Sequence, residues 1–116
     1  MNDSWFKIRT RLAGNIREAL KRQSANKSTR TAKLLGADIL TVRNYLESKF
    51  IPGMNWSNMG RGGWHIDHII PCRAFDLTNP VEQKQCFHFT NLQPLWEADN
   101  IRKSDKVLMQ PELFAP

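Results

Sequence analysis

Two short segments with strand-like patterns restrict the fold of this chain most strongly. Residues 64–70 alternate well enough to predict a strand, and residues 91–96 predict a second one. Pro94 has no backbone N–H to donate, so it indicates that the second strand lies at an edge or ends early. Other parts of the 116-residue chain show helical spacing. The sequence therefore predicts an α+β fold.

The N-terminal part of the chain is predicted to be helical. Apolar residues recur at steps of three and four over residues 4–23, which predicts an amphipathic helix. A shorter helix is predicted to begin at Ser28 or Thr29 and to run through Leu35. Gly36 is expected to end it, because glycine adopts the left-handed conformation that closes many helices.

A third helix is predicted after Asp38, whose carboxylate can accept hydrogen bonds from the first helical turn, and Pro52 with Gly53 is expected to stop it. The short helix, turn and third helix have some likeness to a helix-turn-helix, although small helical proteins form such hairpins often. An irregular segment is predicted to follow, with large apolar residues that pack in the core: Met54, Trp56 and Met59.

Two more helices are predicted around the second strand. Residues 80–88 form a short helix between the two strands, and the last helix runs from about Glu97 to Asp105. The last helix is too short to be stable by itself, so we expect it to be stabilised by packing against the rest of the protein.

Three polar residues near the predicted strand end and in the last helix form a candidate site for phosphodiester hydrolysis. A divalent cation needs hard oxygen ligands, and Asp67 with Asn100 could supply two of them. His68 would activate the attacking water, because an unperturbed histidine, with a pKa of about 6.5, is mostly neutral at physiological pH. A capped polar strand end without catalysis is the structural alternative.

These segments resemble the HNH endonucleases, the ββα-metal or His-Me finger superfamily. The resemblance is close over residues 63–106 and rests on three runs in this order: Trp64-His65-Ile66-Asp67-His68-Ile69-Ile70-Pro71, Asn91-Leu92-Gln93-Pro94-Leu95-Trp96 and Asn100-Ile101-Arg102-Lys103-Ser104. The segment around Met54 and Trp56 extends the resemblance to small phage-type proteins of the family. The resemblance implies a ββα-metal nuclease core at residues 61–116. Residues 1–60 before it are predicted to form a basic helical region that binds DNA.

The resemblance also implies a role for each site residue. Asp67 and Asn100 bind one divalent ion, His68 is the general base, and Asn91 orients the loop that carries the histidine. Magnesium is the expected ion and manganese a substitute, since both prefer oxygen ligands. The triad is His-Asn-Asn where the family name has His-Asn-His, a variant that the family contains. The two CxxC pairs of many relatives are absent, so structural zinc is not expected.

Basic residues concentrate in the first half of the chain. Residues 1–60 hold eleven Lys or Arg against four acids, whereas residues 61–116 hold six against seven. This distribution predicts DNA as the partner, since each phosphate contact adds salt-dependent affinity. A solvated helix face is the alternative. The candidate DNA contacts on the first helix are Arg11, Arg17, Lys21 and Arg22.

Further contacts to metal or phosphate are predicted near the site. His65 lies two residues before Asp67, so a regular strand places both side chains on one face. Arg102 and Lys103 share the predicted helix of Asn100, where they could contact phosphate or simply complement the helix dipole.

Cys72 and Cys86 are expected to be reduced and to pack, because two cysteines do not make a disulfide framework. A zinc cluster with His65 and His88 is conceivable, but its spacing matches no standard pattern. No apolar run approaches the roughly 20 residues that span a bilayer, so a soluble, cytoplasmic protein is expected.

The predicted function is thus metal-dependent endonuclease cleavage of DNA. One site cuts one strand, so a double-strand break would need a homodimer or two successive events. A non-catalytic DNA-binding module with a vestigial core and a structural subunit of a DNA-processing assembly are the alternatives. Homing, restriction and packaging would share the same chemistry.

Overall fold

A computed structural model describes residues 3–103, with side chains from Trp5 onward, and confirms the α+β prediction. The helices are α1 (Asp3–Arg22), α2 (Thr31–Leu35), α3 (Ile39–Ser48), α4 (Pro80–Phe87) and α5 (Glu97–Lys103). The strands are β1 (Trp64–His68) and β2 (Leu92–Trp96). Short 3-10 turns occupy Trp56–Asn58, Cys72–Ala74 and Phe89–Asn91. The predicted end of the last helix at Asp105 lies outside the described residues.

Within the described residues, β1 and β2 form a two-stranded antiparallel sheet in which Asp67 is opposite Gln93 and His68 opposite Leu92. Trp64 and Ile66 are buried, as the alternation predicts. The first strand ends at His68, two residues before its predicted end, because the next two residues bond to Asn91. Both strands are edges of this sheet, so Pro94 is tolerated in β2.

The predicted extent of the first helix differs from α1 by a single residue at each end, and its apolar stripe is buried. The start of α2 was predicted too early. The helix begins at Thr31 and Arg30 is its N-cap residue, whereas Ser28 donates its backbone N–H and its hydroxyl to Gln83 Oε1. Gly36 ends α2 at φ +74°, and Asp38 caps α3 by accepting from the Thr41 N–H, both as predicted.

The third helix ends at Ser48, before the predicted stop at Pro52 and Gly53. The chain tightens there through backbone bonds from Lys49 to Leu46 and from Phe50 to Glu47. Phe50 then packs on the rings of Trp56 and Trp64 at centroid distances of 5.0 Å. The predicted packing of Met54, Trp56 and Met59 is confirmed, since all three join the same core.

The apolar core takes residues from both sides of residue 60. One cluster joins Ile8 and Leu12 of α1 to Val42 and Leu46 of α3 and to residues of both strands, namely Trp64, Ile66 and Leu92. A second cluster joins the C-terminal half of α1 to α2 and α4. The helical region and the strand pair are therefore packed against one another. No helix among residues 3–103 has both the length and the apolar character required to cross a membrane.

Candidate functional site

A cleft of about 860 Å³ lies between α1, β1 and α5 and contains most of the predicted site residues. Its lining includes Asp67, His68, Asn100, His65, Lys103 and Arg22. Asp67 and His68 come from the end of β1, and Asn100 comes from the helix that directly follows β2. The cleft thus combines residues that are about thirty positions apart in the sequence.

The other predicted contacts lie elsewhere. Arg11 and Arg17 line a second groove of about 630 Å³, which shares Asn15 and Glu18 with the cleft. Lys21 is exposed on α1 and lines neither space. Arg102 is also outside the cleft and pairs with Asp99 on the surface of α5.

The Asp67 carboxylate is held by two side chains. Gln93 Nε2 and Lys103 Nζ each donate to Asp67 Oδ2 at 3.0 Å, and Lys103 Nζ also donates to the His68 carbonyl oxygen at 2.7 Å. The side chains of Lys103 and Asp67 are only 3 and 11% exposed. The ammonium that was predicted to contact phosphate is therefore bonded inside the protein, because the last turn of α5 packs toward the end of β1.

Phe87 and Cys72 are neighbours of the His68 side chain. Its ring lies edge-on to the Phe87 ring, with the two centroids 5.9 Å apart, and a nitrogen of the His68 ring lies within 4.8 Å of the Cys72 sulfur. Phe87 belongs to α4, which begins at Pro80 after Asn79 caps two of its backbone N–H groups. The helix between the strands thus provides a support for the predicted base.

Asn91 fixes the turn that follows His68. Its Oδ1 accepts from the Ile70 N–H at 2.9 Å, and its Nδ2 donates to the Ile70 carbonyl at 3.1 Å and to the Cys86 carbonyl at 2.9 Å. Its own carbonyl accepts from Ile69 N–H at 2.8 Å. The side chain is buried and its oxygen and nitrogen are both used within the protein. Asn91 therefore connects the turn after His68 to the last turn of α4.

Glu97 is a cleft residue that the sequence did not single out. Its Oε2 accepts from Gly62 N–H and lies 3.5 Å from His65 Nε2. The Gly62 N–H, followed by His65, holds the pKa of this carboxyl below its ordinary value. The only sequence signal was an acidic residue at a predicted helix start. His65 therefore lies in the cleft, but as the partner of Glu97.

A cluster of two cysteines and one histidine adjoins the cleft. Cys86 donates its S–H to Cys72 Sγ at 3.1 Å, and ligand atoms of His68, Cys72 and Cys86 lie within 4.8 Å of one another. Both thiols are free, as predicted. The conceivable cluster with His65 and His88 does not form, because His65 faces Glu97 and His88 bonds to Thr90.

The two thiols differ in their chemistry. The hydrogen bond from Cys86 is the main cause that lowers the pKa of Cys72 to about 5, assisted by His68 and opposed by burial. The same bond and burial raise the pKa of Cys86. Cys72 is therefore the thiolate of the pair.

The charge of the cleft itself is balanced. Its lining has three basic and three acidic residues: Arg22, Arg73 and Lys103 against Glu18, Asp67 and Glu97. The adjoining groove has Lys7, Arg11 and Arg17 against Glu18. The excess positive charge therefore lies along α1, beside the candidate site.

No family model and no solved structure matches this chain. The chain is similar to two uncharacterized proteins of Acanthamoeba polyphaga mimivirus. One is 38% identical over 103 residues, which are 89% of this chain and 44% of that relative. The other is 35% identical over 105 residues, which are 90% of this chain and 45% of that relative. The chain thus spans less than half the length of these relatives.

Proposed function

We propose that this chain is a metal-dependent DNA endonuclease of the HNH, or ββα-metal, type. The carrying observation is that Asp67 and His68 at the end of β1 and Asn100 in α5 line one cleft. Asn91 supports the proposal because it ties down the backbone directly after His68. The order of β1, β2 and α5 is the order that the family resemblance implies, and it supports the proposal.

The donor set fits a hard divalent cation. Asp67 and Asn100 offer carboxylate and amide oxygens, which magnesium and manganese both accept. Both hydrogen bonds to Asp67 end on Oδ2, so Oδ1 is the oxygen that can face an ion. When bound, the cation would supply positive charge to stabilise the phosphate and the leaving oxygen.

His68 would remove the proton from the attacking water. The Phe87 ring and the nearby Cys72 sulfur would limit the orientation of its ring, and Asn91 fixes the turn that follows it. A base held in one orientation loses less entropy on reaching the transition state. These neighbours are therefore positioning residues of the proposed reaction.

DNA would reach the cleft along α1. Lys7, Arg11 and Arg17 line the groove that joins the cleft at Asn15 and Glu18. Because the cleft lining is charge-balanced, phosphate attraction would come mainly from this groove, and binding would weaken as salt rises. Arg22 would continue the path at the cleft itself.

The test is conversion of supercoiled plasmid by the purified protein with magnesium, with manganese or with a chelator. We expect metal-dependent nicking or linearisation that His68→Ala abolishes while the fold and DNA binding persist. His88→Asn is the matched control, because His88 lies outside the cleft lining and asparagine can also accept the bond from Thr90 N–H. Cleavage by His68→Ala at a rate near that of the unmodified protein would overturn the proposal.

A non-catalytic DNA-binding module is the second candidate. The Lys103 ammonium neutralises Asp67 and so weakens the attraction of this carboxylate for a cation. This observation favours a vestigial site. Binding to plasmid without cleavage under either metal would support this second function.

A further inference from the structure

The cluster of His68, Cys72 and Cys86 offers a set of ligand atoms unlike that of Asp67 and Asn100. One imidazole nitrogen and two sulfurs lie within 4.8 Å of one another. Soft sulfur and imidazole ligands select zinc and related ions, whereas carboxylate and amide oxygens select magnesium. The cleft and the buried thiol beside it therefore offer two neighbouring donor sets of opposite preference.

The backbone carrying the two thiols is held from several sides. The Cys72 carbonyl accepts from Gln23 Nε2 at 3.2 Å, and the Cys86 carbonyl accepts from Asn91 Nδ2 at 2.9 Å. Phe87 packs on the His68 ring. The three ligands come from the end of β1, a 3-10 turn and α4, so tertiary packing alone brings them together.

We propose that His68, Cys72 and Cys86 form a binding site for a thiophilic divalent cation, with zinc as the natural occupant. With zinc–sulfur bonds of about 2.3 Å, tetrahedral geometry places two sulfurs about 3.8 Å apart. The sulfurs are 3.1 Å apart, so they need to separate by about 0.7 Å. Cys72 and His68 both line the cleft, which leaves a fourth ligand position to water or a phosphate oxygen.

Occupation of this site would regulate the reaction, a consequence that rests on the proposed function. Zinc bound to either nitrogen of the His68 ring would place a positive charge beside the other, and so lower the affinity of the ring for the proton of the attacking water. Zinc would therefore inhibit cleavage that magnesium supports, and a chelator selective for zinc would restore it. Magnesium would not compete, because it binds thiolates poorly.

Cobalt(II) tests the site directly, because thiolate ligation produces a charge-transfer absorption band. The reduced protein is titrated with cobalt under a phosphine reductant and then with zinc. We expect one cobalt per chain and loss of the band as zinc displaces it. Cys72→Ser and Cys86→Ser should each weaken binding at least about tenfold, since each removes a ligand.

His65→Gln is the matched control for the cobalt spectrum, because this histidine lines the same cleft but faces Glu97. Absence of the band in the folded parent protein would overturn the site, as would an unchanged band in Cys72→Ser. Circular dichroism checks that each serine variant is folded. Cys86 is buried and its serine variant is at greater risk of misfolding, whereas Cys72 is half-buried. If Cys86→Ser fails to fold, the cobalt titration of Cys72→Ser still tests the site.

A second arm measures magnesium-supported plasmid cleavage at increasing zinc. The expected result is inhibition of the parent protein and at least about tenfold weaker inhibition of Cys72→Ser, relative to the activity of each without zinc. Equal zinc sensitivity of both would overturn the regulatory consequence. A parent protein that shows the cobalt band but never cleaves DNA would refute the proposed nuclease and leave the metal site established.

Discussion

Lys103 places its ammonium nitrogen 3.0 Å from Asp67 Oδ2 across 36 positions of sequence. Both side chains are nearly buried. Gln93 donates a further hydrogen bond to Asp67, and Lys103 donates one to the His68 carbonyl oxygen. The bond joins the last described turn of α5 to the end of β1. The short helix that carries Asn100 is thereby attached to the strand that carries the other proposed metal ligand.

Lys103→Met should lower the free energy of unfolding by about 3 kcal/mol, because it leaves a nearly buried carboxylate without its cation. Urea unfolding measures this loss. Arg102→Met is the control, since that side chain is 75% exposed and its ion pair should contribute less than about 1 kcal/mol. Equal losses of unfolding free energy in the two variants would contradict the expectation that the nearly buried ion pair contributes more than the exposed one.

Asn91→Ala should slow DNA cleavage without abolishing metal binding. It leaves both the N–H and the carbonyl of Ile70 without their side-chain partner, and we expect a stability loss of about 2 kcal/mol. Plasmid cleavage and calorimetric metal titration separate the two effects. Asn79→Ala is the control, because it removes the cap of α4, costs about 1 kcal/mol and should keep cleavage. Parent-like cleavage by Asn91→Ala would contradict the orienting role.

Gln83→Met should destabilise the fold by about 3 kcal/mol. Gln83 is buried, and its amide bonds both polar groups of Ser28 and the carbonyl oxygens of Asn26 and Leu77. Methionine fills a similar volume but leaves these groups without partners. Thermal or urea unfolding measures the change. Gln85→Met on the exposed side of the same helix should change stability by less than about 0.5 kcal/mol, and a similar loss there would contradict this account.

Cys72 should react with iodoacetamide faster than Cys86 at pH 7. Its folded pKa lies below the ordinary value, so the thiolate is already formed at neutral pH, and its rate should fall only as pH drops through about 5. The raised pKa of Cys86 keeps that residue protonated. Mass spectrometry after proteolysis measures each rate, and unfolding in urea should remove the difference. A Cys72 rate that rises steadily from pH 7 to 9 would contradict the prediction.

Local patterns predicted most of the secondary structure. The spacing of apolar residues by three and four positions identified α1. Gly36 correctly marked the end of α2, and the capping residue Asp38 correctly marked the start of α3. Errors arose where a distant residue competes with a local one. Ser28 bonds to Gln83, 55 positions away, and α2 begins three residues after it. The strand β1 ends early because Asn91 takes over the pairing of its next two residues.

The order of the motifs along the chain was enough to predict which residues of the candidate site lie together. Asp67, His68 and Asn100 do line one cleft, whereas the burial of Lys103 was not predictable, because helical spacing does not tell which way a short terminal helix turns. A cluster of Cys72 and Cys86 with other histidines was conceivable, but the sequence did not predict that His68 lies beside the two cysteines. Their separation of 14 residues matches no metal motif, and the intervening turn and helix bring them together.

The core shared by α1, α3 and the strand pair has an evolutionary consequence. After a genetic crossover near residue 60, Ile8 and Leu12 would face side chains from a different protein. Trp64 and Ile66 would lose the helix residues with which they share the core. Such a chimaera would contain either cavities or clashes. The helices and the strands are therefore expected to be inherited as one block, with substitutions on one side of that position compensated by substitutions on the other.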